Sequence, residues 1–227
     1  GAVAVFAQVT DTMCIIPRPD TQESTGSCYA SAPGALVIEP DRTYELLIQV
    51  DQQMLTGTTT VPGDFRIIRP QASSCSIAAQ SNFEIMWARS DRAWVYAGET
   101  ILYNIRSALA PYSIPLDRDP LRLFGLALSS ADTTIAFPKE FGLFDRLDEN
   151  LTEALAFLQR GLPAGVSAEV VIAAADRNYV NWERGGNFNP SGQVRIPSIR
   201  GDGTGVFGSL VPKTFLVEVD RPALPGC

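Results

Sequence analysis

Apolar positions along this chain alternate with polar ones more often than they recur at helical spacing. Short runs rich in Val, Ile, Thr, Tyr and Phe, separated by turn-forming Gly, Pro, Asn and Asp, predict strands at 2–10, 35–38, 43–50, 65–68, 84–88, 93–97, 101–105, 121–128, 133–137, 169–174, 179–182, 193–196 and 214–219. In the first of these, Val3, Val5, Ala7 and Val9 alternate with Ala4, Phe6 and Gln8. That reads as a strand rather than the end of a signal peptide's apolar core. In 43–50, Tyr44, Leu46, Ile48 and Val50 fall on one face and Glu45, Leu47 and Gln49 on the other. Such a strand is half buried.

One segment keeps helical spacing instead. Leu147, Leu151, Leu155 and Leu158 form a stripe along 145–160, with Asp145 as N-cap and Asp148 and Glu149 complementing the helix dipole. Gly161 and Pro163 end it. A second, shorter helix is expected at 105–109. These elements predict a mainly β fold, an antiparallel β-sandwich or barrel-like arrangement with one amphipathic helix at about 145–160, in a single β-rich domain over 1–227.

A recurring turn adds internal order. Asp41-Arg-Thr-Tyr44, Asp91-Arg-Ala-Trp94 and Asp176-Arg-Asn-Tyr179 share the pattern Asp-Arg-x-aromatic. Asp starts a turn by accepting backbone amides two residues on, and the aromatic enters the next buried strand. The second and third copies align further, which suggests an old duplication relating about 65–144 and 150–227. The physical reading is three similar β-turns.

Composition narrows the function classes. A hydrophobic share of 45% with 19% charged residues describes a globular chain. The net charge of -7 disfavours nucleic acid and anionic membranes as partners. No apolar run approaches the roughly 18–20 residues of a membrane span. The four cysteines, Cys14, Cys28, Cys75 and Cys227, are even in number, widely spaced and lack a C-x-x-C pair. They suit two disulfides in an oxidising compartment better than a metal site, with three pairings open. One of these, Cys75 with Cys227, would staple the tail.

The chain contains no histidine. That removes Ser-His-Asp and Cys-His nucleophile pairs and histidine-based zinc sites. With only Lys139 and Lys213 as lysines, the remaining catalytic device is a carboxylate pair. Glu84, Asp91, Glu99, Glu169, Asp176 and Glu183 lie near Trp87, Trp94 and Trp182 in sequence, without diagnostic spacing. No catalytic residue, metal or cofactor is therefore assigned. Gly203-Thr-Gly-Val-Phe-Gly208 matches a dinucleotide-binding pattern, but Pro212 follows where a helix would be needed, so it reads as a turn. Asn150-Leu-Thr152 is a formal glycosylation sequon inside the expected helix, where a glycan is not expected.

The stretch 179–192 is the best candidate ligand-binding segment. Trp182, Glu183, Asn187 and Asn189 combine a stacking ring with a carboxylate and amides around a glycine pair, a set suited to sugars or peptides. The first strand suggests a different role. An alternating apolar strand followed by a looser, proline-containing segment can leave its own domain and complete a neighbour's sheet. Over about a dozen residues this start resembles that of chaperone-usher pilins, a likeness that carries no family assignment. The expected function is a non-enzymatic structural subunit of an extracytoplasmic assembly, partnered by copies of itself or other subunits. The first strand and the tail at Cys227 are expected to cross subunit boundaries. A glycan- or peptide-binding β module is the alternative, and a carboxylate-dependent hydrolase the second.

Overall fold

The computed structural model describes residues 2–10, 27–140, 151–185 and 195–227. The chain divides into two compact units, Gly1–Glu39 and Pro40–Cys227. In the first unit, β1 (Phe6–Val9) pairs antiparallel with β2 (Cys28–Ser31), Phe6 opposite Ser31 and Val9 opposite Cys28. The alternating pattern at 2–10 is thus paired over its second half only. The residues expected as a strand at 35–38 are not in a strand. Cys28 is the one buried apolar residue among the described residues of this unit.

The second unit is built on three sheets. Its strands are β3 (Thr43–Val50), β4 (Gln53–Thr60), β5 (Ile67–Arg69), β6 (Ser74–Ile77), β7 (Phe83–Trp87), β8 (Val95–Tyr103), β9 (Leu121–Leu126), β10 (Thr134–Phe137), β11 (Ser167–Ala175), β12 (Ile199–Gly201) and β13 (Leu210–Val219). Three short helices accompany them: α1 (Ile105–Leu109), α2 (Thr152–Leu158) and α3 (Arg177–Gly185). The sheet orders are β6-β13-β11-β8-β9, β10-β7-β5 and β12-β4-β3, and none closes into a barrel among the described residues. The fold is mainly β with antiparallel sheets, as the pattern predicts. One pairing departs from it: β6 runs parallel to β13.

The five-stranded sheet carries the core on one face. Tyr96, Leu102, Ala168, Val170, Ile172, Phe215 and Val217 point into a buried cluster shared with Ile85, Trp87, Phe137, Leu155 and Leu158. Tyr96 joins the layers, with Trp87 and Phe65 packed edge-to-face at 5.3 and 5.7 Å between ring centroids. Its hydroxyl accepts the Ser90 amide at 2.7 Å, so the buried phenol is satisfied. On the opposite face, Val95, Ala97, Leu126, Ala173 and Ala175 form a smaller cluster with Val180 of α3.

The helical stripe is present in part. Leu151, Leu155 and Leu158 are buried along α2, while 145–150 lie outside the described residues. Gly161 follows at φ +146, where a Cβ would sit 2.4 Å from the Gln80 Cα. The expected short helix at 105–109 is α1.

Two other expectations change. Runs 93–97 and 101–105 are one strand, β8, because Gly98-Glu-Thr100 continues the ladder instead of turning. The strand expected at 179–182 is the middle of α3. Four residues cannot distinguish a period of 2 from 3.6. What decides is Asp176, whose Oδ1 accepts the Tyr179 amide at 2.8 Å as an N-cap. At 193–196, residues 193 and 194 lie outside the described residues, and 195 and 196 are not in a strand.

Candidate functional site

The three Asp-Arg-x-aromatic segments converge in space without being equivalent. In the first two, turn residues take positive φ, Asp41 at +62 and Arg92 at +60. The third is not a β-turn but opens α3. Arg92 of the second donates from Nη1 to the Asp41 carbonyl at 3.0 Å and lies 3.8 Å from its carboxylate. Arg177 of the third stacks over Trp94 of the second, 5.3 Å from the ring centroid.

Asp176 is buried and fully engaged. Its Oδ2 accepts the Thr59 hydroxyl at 2.6 Å, and Thr59 in turn lies 2.9 Å from the Ser209 hydroxyl. Asn178 adds donors from Nδ2 to the carbonyls of Thr58 and Phe207 at 2.8 and 2.9 Å. Gly208 approaches so closely that a Cβ would lie 2.8 Å from the Tyr179 nitrogen. Gly208, the last glycine of the segment that matches a nucleotide motif, thus sits beside the first turn of α3, while Gly203 and Gly205 lie against Leu55 and Ile199. The Asp176 carboxylate is the basic group of the network, and it also caps α3 through its other oxygen. The network ties α3 to β4 and to the segment leading into β13.

Of the four ligand-binding candidates, Trp182 and Glu183 are half-buried neighbours on α3, and Asn187 and Asn189 lie outside the described residues. One face of Trp182 is covered by the Arg195 guanidinium, 4.7 Å from the ring centroid. Tyr179, one helical turn earlier, has its phenol raised above the ordinary value by burial first, then by the charges of Glu183 and Glu99.

Among the candidate carboxylates, Glu99 and Glu183 both act on Tyr179, and Glu169 lies on the strand beside Glu99. The β8–β11 register makes Glu99 and Glu169 diagonal neighbours on one sheet face. Glu99 pairs with Arg122 at 3.1 Å, and Glu169 accepts the Tyr103 hydroxyl at 3.3 Å. Tyr103 is raised by desolvation and by the Glu169 charge. Asp64 is held below the usual carboxylate range by its 2.6 Å contact with Lys213, the reverse of what a general acid needs. Among the described residues no three His, Cys, Asp or Glu side chains gather into a metal site. A depression of about 450 Å³ is lined by Arg106, Ala110, Ser113, Ile114, Pro115 and Leu116. Arg106 spends its guanidinium on the Leu116 and Asp117 carbonyls there.

The cysteine reading is settled for three residues. Cys75 on β6 is bonded to Cys227, and Cys28 is also in a disulfide, while Cys14 lies outside the described residues. Cys227 donates its amide to the Ser76 carbonyl, and its own carbonyl accepts Arg69 Nε. The segment before it runs alongside β6 in the same chain. The disulfide and these hydrogen bonds hold the tail to its own chain. Among the described residues no helix is long and apolar enough to cross a membrane.

The strongest unsatisfied chemistry is apolar. In the first unit Val3 is 83% exposed, Val5 80%, and Phe6 and Tyr29 54% each. Val3 and Val5 precede the part of β1 that pairs with β2. Sequence reasoning flagged the strand but missed β2, since Cys28-Tyr-Ala-Ser31 is too short for its period to register. Compared with protein-family models, with curated proteins and with solved structures, the chain matches none.

Proposed function

We propose that this chain is a non-enzymatic structural subunit of an extracytoplasmic assembly, joined to a neighbour through the strand at its start. The observation that carries the reading is the exposure of Val3, Val5, Phe6 and Tyr29 on a unit whose described residues bury only Cys28. A two-stranded hairpin is marginal in water and needs a third strand or a packed face. Adding its alternating apolar strand to a neighbouring subunit supplies both at once. Disulfide-bonded cysteines support an oxidising, extracytoplasmic location.

Sedimentation velocity of the wild type beside a Val3→Lys, Val5→Lys double variant tests the reading. Both positions are exposed, so the variant folds. Wild-type oligomers that dissociate in the variant are the expected result. Equal sedimentation of the two as monomers contradicts it and moves attention to ligand binding at Trp182.

A further inference from the structure

The second unit ends one of its sheets on an open edge. In the order β12-β4-β3, β3 has no partner on its far side among the described residues. Which of its amides face outward follows from β4. Opposite Gln49, Met54 donates its N–H to Asp202 Oδ2 at 3.0 Å, and its carbonyl accepts the Asp202 amide at 3.2 Å. Both Met54 groups thus point away from β3, so Gln49 and Met54 are a non-hydrogen-bonded pair. Gln49 directs its own amide and carbonyl to the free edge, and by alternation so do Leu47 and Glu45.

This edge lacks the usual protection. It has no proline, no lysine and no bulge, and Glu45 is the single charge along it. Leu47 is 64% exposed, and exposed Met54 lies diagonal to it on the same face.

We infer that β3 pairs antiparallel with β3 of a second copy of this chain, about a two-fold axis through Leu47, fusing two three-stranded sheets into one of six strands. Self-complementarity identifies the occupant. In this register Leu47 meets Leu47, and the Glu45 carboxylate faces the Gln49 amide of the other copy. On the other face Leu46 meets Ile48 and Tyr44 meets Val50. No like charges are opposed, and the outward amides of both copies meet at a hydrogen-bonded pair. Centring the pair on Glu45 would oppose two carboxylates, and centring it on Ile48 would set Glu45 against Asp51. The inference concerns a different surface from the first unit's hairpin and stands without it.

Single-cysteine variants test the register. The described native cysteines, Cys28, Cys75 and Cys227, are disulfide-bonded, and the parent chain oxidised in parallel is the control for the introduced thiol. At Leu47 the two Cα atoms of a hydrogen-bonded pair would be about 5.5 Å apart, within disulfide range. Leu47→Cys should therefore oxidise to a covalent dimer of doubled mass, while Glu45→Cys and Gln49→Cys, alone, stay monomeric on denaturing gels. Mixing those two variants should give a heterodimer. Circular dichroism checks that each variant is folded, and all three positions are exposed. No cross-link at Leu47, or equal cross-linking at all three positions, overturns the inference. The Val3→Lys, Val5→Lys background should leave the Leu47 cross-link unchanged, which separates this interface from the hairpin's.

Discussion

Asp176 shows how one side chain can decide an element. Its carboxylate caps α3 and accepts the buried Thr59 hydroxyl. Asp176→Ala should cost about 2–3 kcal/mol in urea melts, adding a lost cap to a lost hydrogen bond to a charged group. A loss within error would show that α3 is held by Val180 and Asn178 alone. Tyr179 makes a second prediction. Its phenol titrates higher when folded than its ordinary value of 10.0, chiefly through burial. The unfolded chain deprotonates first, so this stabilisation is whole below pH 10 and falls as pH rises above it. Tyr179→Phe should flatten the alkaline limb of the stability profile, and an unchanged limb would assign the loss elsewhere. Asp176 was visible in the sequence as a turn-former, but its helix was not. A cap and a turn use the same Asx geometry, so the residue type alone did not show which of the two Asp176 makes.

At the scale of elements, the sequence pattern was most legible where strands are long and half buried. Thr43–Val50 was delimited to the residue because its two faces differ in polarity. β4 was missed because Gln53-Met-Leu-Thr-Gly-Thr-Thr-Thr60 has little apolar alternation, and its place is set by pairing with β3 and β12. β6 and β12 are too short to announce themselves and depend on neighbours distant in sequence. The end of α2 was legible through Gly161, where both backbone angle and space exclude a side chain. Gly161→Ala should cost about 2–4 kcal/mol, since the Cβ meets backbone atoms of Gln80 that cannot move aside cheaply. Thermal melts that overlay with wild type would show that this loop rearranges freely. The Cys75–Cys227 bond closes a span of 152 residues in sequence, and Cys75→Ser with Cys227→Ser should lower stability by about 2–5 kcal/mol. The sequence left this pairing as one of three, because spacing alone carries no distance.

For the whole molecule, the candidate ligand site was only partly legible. The sequence placed Trp182 and Glu183 on a strand and loop, whereas they lie on α3, with Arg195 over the Trp182 ring. The assembly reading rests instead on where apolar surface remains uncovered. The second unit buries a continuous core, whereas the first exposes its valines and aromatics to water. On the proposed reading a partner covers this surface. The most direct measurement is light-scattering mass on protein purified from its native source under non-reducing conditions. The account predicts homogeneous particles at multiples of the mass that the protein shows when denatured, or of that mass combined with other subunits. A strictly monomeric species at every concentration would contradict it.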